Sequence, residues 1–252
     1  MAHTIVEGKK LHHASSGSGE NVLLLLHGNT ASSHMFQPVL SLYEKRFCVL
    51  VMDFLGHGQS ERLKEFPVDL WFSQAMQAAA LLDALGLRRI NVLGTSGGAL
   101  AALNLALERP DLVGKVMADS FEGERALDAV AGLIEAERAQ AKTDATMVRF
   151  WRECHGEDWE AVVDNDTRAM VRHHAAIGNF FHRDLSSLAM PVLLTASLED
   201  EFAEIARFPE TYAGMLDNIP RGAMHLFPAG KHPALLSNAA SFAALAEKFF
   251  LP

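Results

Sequence analysis

The sequence predicts an α/β fold with a doubly wound, mostly parallel sheet. Short apolar runs without polar alternation recur along the chain, as is typical of parallel strands buried on both faces. Segments with helical spacing of apolar residues separate most of these runs. With 252 residues, 49% hydrophobic and 21% charged, the chain suits one domain of this class with an insertion. The strand-like runs are residues 22–26, 47–52, 89–93, 115–118, 190–196 and 224–227.

Charge and cysteine content limit the expected partners. The net charge of −9 argues against nucleic acid or an anionic membrane as the main partner. Cys48 and Cys154 lie far apart, which predicts free thiols rather than a disulfide or zinc site. The first ten residues lack a signal-peptide core, and no apolar run is long enough to span a membrane. We therefore expect a cytoplasmic protein, either a monomer or a homodimer.

The N-terminal part predicts an edge strand followed by the first buried strand. Residues 3–13 form the predicted edge strand, residues 15–20 a turn, and His12 and His13 are expected in solvent. The buried run at 22–26 ends in His27-Gly28-Asn29-Thr30, and a helix is expected over 36–45. A glycine-containing loop after a buried strand can present backbone N–H groups to a ligand.

A second buried strand, residues 47–52, leads into a tight turn around His57. Gly56 and Gly58 flank this histidine, and Asp53 precedes it. We interpret Asp53 and His57 as residues that shape the loop. Apolar residues at helical spacing then predict a helix from residue 68 to residue 85, which ends at a glycine.

Ser96 lies on a predicted sharp turn between the strand at 89–93 and a helix at 97–108. Gly94 and Gly98 let the chain reverse without side-chain clashes. The first N–H groups of the helix would then face a bound group. This is the Gly-x-Ser-x-Gly pattern of a nucleophile elbow. An ordinary strand-to-helix turn can also have this pattern, so residues elsewhere in the chain are needed to distinguish a nucleophile elbow from an ordinary turn.

Residues 121–187 lack strand-like runs and predict a helical lid, while residues 1–120 and 188–252 form the core. The lid supplies aromatic side chains that either line a pocket or pack the lid onto the core: Phe150, Trp151, Trp159, Phe180 and Phe181. It also holds several histidines. No acidic residue or cysteine stands at ligand spacing with His173 and His174, so we expect no metal.

The last part of the chain supplies an acid and a base in the order that the elbow requires. A strand at 190–196 precedes Asp200, a helix follows over 203–216, and a strand at 224–227 precedes His232. A helix at 239–249 closes the chain. A serine hydroxyl needs a base and a group that orients the base. The order Ser96, Asp200, His232 matches that expected for this elbow.

With these motifs the sequence resembles the α/β-hydrolase fold family over almost its whole length. The matching stretches are residues 24–28 (LLLHG), 53–60 (DFLGHGQS), 94–98 (GTSGG), 191–194 (PVLL) and 230–232 (GKH). The resemblance implies Ser96 as nucleophile, His232 as general base and acid, and Asp200 as its partner. It also implies an oxyanion hole formed by the backbone N–H groups of Gly97 and Asn29.

Three residues remain as alternatives for these roles. Thr30 could replace Asn29 in the oxyanion hole. Glu199 is adjacent to Asp200, and Asp119 ends the strand after the elbow helix, where some family members place their acid. We expect Asp200 to be the catalytic acid.

Within the family the chain is similar to the valacyclovir-hydrolase-like branch at residues 66–69 (FPVD) and 225–232 (HLFPAGKH). That branch has an acidic residue directly after the nucleophile, where this chain has Gly97. A serine at the elbow also separates the chain from dehalogenases and most epoxide hydrolases of this fold, which use aspartate.

The resemblance implies a serine hydrolase of a small carboxylic ester or related acyl compound, without a cofactor. The alternatives are a carbon–carbon hydrolase, a perhydrolase, or a ligand receptor that keeps the triad with slow turnover.

Overall fold

The structure is a computed structural model that describes residues 2–251. Its strands form one eight-stranded sheet in the order β1-β2-β4-β3-β5-β6-β7-β8. Along this order, the six strands from β4 to β8 run parallel to one another. β1 runs antiparallel to β2, and β2 runs antiparallel to β4. The predicted doubly wound, mostly parallel sheet is confirmed. The strands are β1 (Ala2–Val6), β2 (Lys9–Ser16), β3 (Asn21–Leu26), β4 (Phe47–Met52), β5 (Ile90–Thr95), β6 (Val113–Asp119), β7 (Val192–Ser197) and β8 (Gly222–Phe227).

Helices cover both faces of the sheet. In β3, Leu24 and Leu26 pack with residues of α2 and α3, while Leu23 and Leu25 pack with residues of α1, α9 and α10. Both sets are fully buried, which explains why β3 is apolar at consecutive positions. The helices are α1 (Leu40–Tyr43), α2 (Leu70–Ala84), α3 (Gly97–Glu108), α4 (Asp128–Ala141), α5 (Ala145–His155), α6 (Trp159–Ala176), α7 (Ala203–Ala206), α8 (Phe208–Leu216), α9 (Ala234–Ser237) and α10 (Ala239–Phe250).

The strand order reverses between β3 and β5, which are neighbours in the sheet. After β3 the chain continues to α1 on one face, and after β5 it continues to α3 on the other. Such a switch point leaves a crevice at the carboxyl ends of the strands, where ligands bind in sheets of this type. The loop after His27 and the turn at Ser96 both lie at this point.

The segment between β6 and β7, residues 121–187, contains three long helices, α4, α5 and α6. An antiparallel bridge between Arg125 and Asn179 joins its first and last parts. Two backbone hydrogen bonds flank this bridge, from Ala126 N–H to Gly178 O and from Phe180 N–H to Glu124 O. The segment therefore leaves the sheet and returns to it through one narrow base. Within residues 2–251, no helix combines the length and the apolarity that crossing a bilayer requires.

Three local expectations were wrong. The edge strand is a hairpin formed by β1 and β2. Because β2 pairs with β4, His12 and His13 are buried, and Asp53, directly after β4, lies 3.1 Å from His12 Nδ1. The helix expected over 36–45 is a 3-10 turn followed by the short α1. The helix expected over 203–216 is broken at Arg207, which has φ 46° and separates α7 from α8.

Candidate active site

Ser96 occupies a strained turn between β5 and α3. Its backbone has φ 54° and ψ −128°, a conformation that residues with side chains rarely adopt. Its N–H donates to Asp119 O at 2.7 Å, which ties the turn to the end of β6. A Cβ on Gly94 would lie 2.0 Å from Gly98 O, and one on Gly98 would lie 2.1 Å from Leu26 O. Both glycines are therefore required for the close approach of backbone that this turn makes.

His232 and Asp200 form a hydrogen-bonded pair at the ends of two neighbouring strands. Asp200 Oδ2 lies 2.8 Å from His232 Nδ1. The carboxylate is shielded from solvent, and its Oδ1 also accepts from Phe202 N–H. The backbone N–H of His232 donates to Glu201, a residue that the sequence analysis missed. With Nδ1–H donating to Asp200, the Nε2 atom of His232 is free to act as a base.

The structure shows no direct hydrogen bond between the Ser96 hydroxyl and the His232 ring within its described residues. The loop that carries His232 is nevertheless attached to the elbow through Asp119 and Ser120. Asp119 O accepts from Ser96 N–H, while Ser120 Oγ accepts from Ala234 N–H at 2.9 Å. Bonds between catalytic groups are often long before substrate binds.

Asp119, the alternative acid, is engaged elsewhere. It is fully buried, and its oxygens accept from Thr95 Oγ1, Thr195 Oγ1 and Leu235 N–H at 2.8 to 3.0 Å. Burial raises the pKa of Asp119 to about 6, although these hydrogen bonds act to lower the pKa. No hydrogen bond joins it to the His232 ring among residues 2–251, and Glu199 likewise lacks one. This geometry favours Asp200 as the partner of His232.

Two backbone N–H groups near Ser96 lack hydrogen-bond partners within the part of the chain that the structure describes. They belong to Asn29 and to Gly97, the two residues that the sequence analysis selects for the oxyanion hole. The loop after β3 lies directly against the elbow, since a Cβ on Gly28 would be 3.0 Å from Ser96 Cβ. Thr30 N–H, the alternative donor, already donates to Asp166 at 3.0 Å. The geometry therefore favours Asn29 over Thr30.

The space beside Gly97 is filled by the Asn29 side chain. A Cβ on Gly97 would lie 2.0 Å from Asn29 Oδ1 and 2.7 Å from Trp71 Nε1. Asn29 Oδ1 in turn accepts from Trp71 Nε1 at 3.1 Å. A side chain at position 97 therefore cannot coexist with this arrangement.

Asp166, on α6, is a residue of the site that the sequence analysis missed. Its carboxylate is fully buried and bonds to Asn29, Thr30 and His57. Burial would raise the pKa of Asp166, but these hydrogen bonds, that from His57 foremost, hold the pKa below its usual value. No local motif marks this aspartate, because its partners lie more than 100 residues earlier in the chain.

The Asp53 side chain organises the loop after β4, as interpreted from the sequence, whereas the His57 side chain reaches out of this loop to Asp166 on α6. Asp53 accepts from Ser33 N–H at 2.7 Å and from Gln59 N–H at 2.8 Å. His155, from α5, accepts Gly58 N–H on Nδ1 and donates from Nε2 to Thr30 O at 2.9 Å. Burial lowers the pKa of His155 to about 4, so this ring is neutral near pH 7.

The aromatic side chains of residues 121–187 that are most buried serve packing. Trp151 and Trp159 stack with ring centroids 5.4 Å apart, and Phe180 packs edge-on against Trp71. The remaining histidines have separate partners, the backbone carbonyls of Val68 and Asn179 for His173, the Asp128 carboxylate for His174 and the Asp69 carboxylate for His182.

A narrow crevice lies between α2, α4 and α6. Trp71, the hydrogen-bond partner of Asn29, forms one wall, and Val130, Ile134 and Met170 form others. Glu122 contributes a carboxylate whose pKa burial raises to about 7, and this side chain accepts from Leu127 N–H at 3.0 Å. The crevice therefore combines a mostly apolar lining with the Glu122 carboxylate and the His174 ring.

Comparisons with known proteins agree with the fold. The family described as the alpha/beta hydrolase fold matches residues 21–179. The human protein named serine hydrolase BPHL is 27% identical over 98% of this chain and 85% of its own length.

Two solved structures are also similar. An enol-lactonase from Burkholderia xenovorans LB400 has a TM-score of 0.74 at 20% identity and covers 98% of this chain and 99% of its own. A meta-cleavage product hydrolase from Pseudomonas fluorescens IP01 has a TM-score of 0.73 at 18% identity, with 99% and 97% covered. At these identities the two structures show the fold that the chains share.

Proposed function

The chain belongs to the alpha/beta hydrolase fold family, and from that premise we propose that it is a serine hydrolase of small carboxylic esters. Ser96 is the nucleophile, His232 the general base and acid, and Asp200 the residue that orients the His232 ring. The N–H groups of Asn29 and Gly97 form the oxyanion hole. The observation that carries this proposal is the 2.8 Å contact between Asp200 and His232, on loops at the same edge of the sheet as the Ser96 turn.

In the first half-reaction Ser96 Oγ attacks the ester carbonyl carbon and its proton passes to His232 Nε2. The carbonyl oxygen gains negative charge, which the N–H groups of Asn29 and Gly97 stabilise. The carbon–oxygen bond to the leaving group then breaks, and His232 protonates the departing alkoxide. The products are an alcohol and an acyl group bound to Ser96.

In the second half-reaction a water molecule attacks the acyl carbon and gives its proton to His232. The bond between this carbon and Ser96 Oγ breaks, the proton returns to Ser96, and a carboxylic acid leaves. Asp200 stabilises the cationic ring that forms in each half-reaction. No step requires a metal or an organic cofactor.

Residues 121–187 act as a lid in this proposal. The crevice beside Trp71 has a volume of about 10 Å³, room for about one water molecule, so it receives the apolar acyl part of the substrate only once the lid has opened. Support comes from position, because Trp71 contacts Asn29 and the crevice is lined by both α4 and α6. BPHL is named a serine hydrolase and the Burkholderia protein an enol-lactonase, two names consistent with acyl-transfer chemistry.

The test compares wild type with Ser96→Ala on p-nitrophenyl esters of increasing acyl length. We expect multiple turnovers from wild type and a loss of at least about a thousandfold in the variant. Comparable rates from both proteins would refute the proposal. Activity of wild type on an activated diketone but on no ester would instead favour a carbon–carbon hydrolase. Saturable binding without turnover would favour a receptor.

A further inference from the structure

Asp166 reaches from α6 into the loop after β3. Its Oδ1 accepts from Asn29 Nδ2 at 2.9 Å. Its Oδ2 accepts from Thr30 N–H at 3.0 Å and lies 2.8 Å from His57 Nε2. The side chain is fully shielded from solvent. A buried carboxylate is tolerated only when donors surround it, and here three donors from the core do so.

These bonds fix Asn29 on two sides. The side-chain amide is held by Asp166 and by Trp71, and the peptide that follows Asn29 is held through Thr30 N–H. Thr30 itself has φ 57°, a conformation that needs support in a residue with a branched side chain.

Asp166 also determines which N–H of this loop is available. Thr30 N–H is bonded to Asp166, and Ala31 N–H is bonded to Gly28 O. Of the consecutive N–H groups at 29–31, that of Asn29 alone lacks a partner within the described chain. It is therefore the donor that remains for a substrate oxygen at Ser96.

The pair of Asp166 and His57 is not a second catalytic pair. The His57 ring is fully buried, with Phe66 on one side at 4.7 Å between ring centroids and His155 on another at 5.9 Å. A ring enclosed in this way cannot exchange protons with a substrate. Its Nε2–H serves as a donor that stabilises the Asp166 carboxylate.

We propose that Asp166 is a positioning residue for the oxyanion hole, through which helix α6 orients the backbone N–H of Asn29 toward the reacting carbonyl. The inference rests on the proposed serine-hydrolase function. It means that α6 is a fixed part of the catalytic framework. An opening of residues 121–187 would then involve α4, whose single buried residue is Ile134, rather than α6.

The test uses Asp166→Asn, with Asp164→Asn as the matched control on the same helix. Asp164 is half exposed and pairs with Lys142, outside the site. Asparagine at 166 keeps the shape of the side chain but turns an N–H₂ group toward donors. We expect kcat on a p-nitrophenyl ester to fall about 10- to 100-fold while KM changes less than about threefold, since one misplaced donor acts on the transition state. The control should keep wild-type values.

A second readout separates positioning from general structural damage. Phenylboronic acid forms a tetrahedral adduct with an active serine, so its affinity reports on the oxyanion hole. In Asp166→Asn this affinity should fall by the same factor as kcat/KM, in protein that melts well above the assay temperature. Wild-type kcat and boronate affinity in folded Asp166→Asn would overturn the proposal. A change in KM with kcat unaltered would overturn it as well.

Asn29→Ala covers the case in which Asp166→Asn does not fold. It removes the side-chain bonds to Asp166 and Trp71 but keeps the backbone N–H. A smaller loss of kcat, about three- to tenfold, with a matching loss of boronate affinity supports the proposal, and unchanged values contradict it. If wild type itself hydrolyses no ester, the proposed function fails, whereas a failure of this inference shows as an active wild type and equally active variants.

Discussion

The strand-end loops and the helical segment 121–187 contribute to the candidate site in different ways. The loops after β5, β7 and β8 carry Ser96, Asp200 and His232. Hydrogen bonds to Asp119 and Ser120, at the end of β6, hold the backbones of the first and the last of these loops. The helical segment carries no member of this triad. It reaches the loop after β3 through the buried side chain of Asp166.

The difference separates chemistry from positioning. In the proposed mechanism, the groups that transfer protons or form covalent bonds lie on loops whose geometry the sheet determines. The loop after β3, which carries the proposed oxyanion-hole residue Asn29, is held in place partly by a segment far away in sequence. Substitutions in the first set should therefore abolish turnover, whereas substitutions in the second should weaken transition-state binding or stability by smaller factors.

Apart from the nucleophile itself, the largest expected effect is at Asp200. Asp200→Asn removes the charge that holds His232 in its reactive tautomer, and we expect kcat to fall by about 10² to 10⁴. Glu199→Gln and Asp119→Asn should lower kcat far less, because neither side chain bonds to the His232 ring in the described structure. Steady-state kinetics of the three variants measures this, and equal losses for Asp119→Asn would place the acid at the end of β6.

Gly97→Ala tests the place where the two regions meet. The new methyl group would collide with Asn29 Oδ1 and Trp71 Nε1, and so disturb the contact that Asn29 makes with Asp166. We expect a loss of about 1–3 kcal/mol in the free energy of unfolding, together with a loss of activity.

Gly132→Ala is the matched control for that substitution. Gly132 lies in α4 with nothing within 4 Å of an added Cβ. Alanine there should raise the free energy of unfolding by up to about 1 kcal/mol, since it favours helix. Equal effects of the two substitutions in urea unfolding would contradict the packing described for Gly97.

The last prediction concerns stability alone, through pH and Asp119. Burial raises the pKa of this carboxyl to about 6 from 3.8, so the folded state binds the proton more tightly than the unfolded state. The resulting stabilisation is complete below about pH 4 and is lost as the pH rises through 6. From pH 4 to pH 7 the free energy of unfolding of wild type should fall by about 2–3 kcal/mol relative to Asp119→Asn. A difference that does not vary with pH would show that Asp119 keeps an ordinary pKa.

The sheet and the candidate triad were accessible from the sequence because their signals are local. Apolar runs such as residues 22–26 predicted strands that the structure confirms. Glycines at 94 and 98 marked the turn at Ser96, and strand ends placed Asp200 and His232 on the same edge of the sheet. In a parallel sheet the carboxyl ends of the strands lie at one edge, so residues that follow different strands come close together.

The remaining features depend on contacts between distant residues. His12 was expected in solvent, and only the pairing of β2 with β4 brings it against Asp53. The residues next to Asp166 in the sequence do not distinguish it from a solvent-exposed helix position. Its burial follows from the packing of α6 against the loop after β3. The need for glycine at position 97 likewise depends on a distant residue, because the Asn29 side chain fills the space beside it.

The central claim is that Ser96 carries the acyl group. Mixing the protein with a p-nitrophenyl ester, quenching in acid within the first turnover and measuring the mass of the intact chain tests it directly. The account predicts one added acyl group that maps to the peptide containing Ser96 and is absent from Ser96→Ala. An adduct on another residue, or the same adduct in Ser96→Ala, would contradict it.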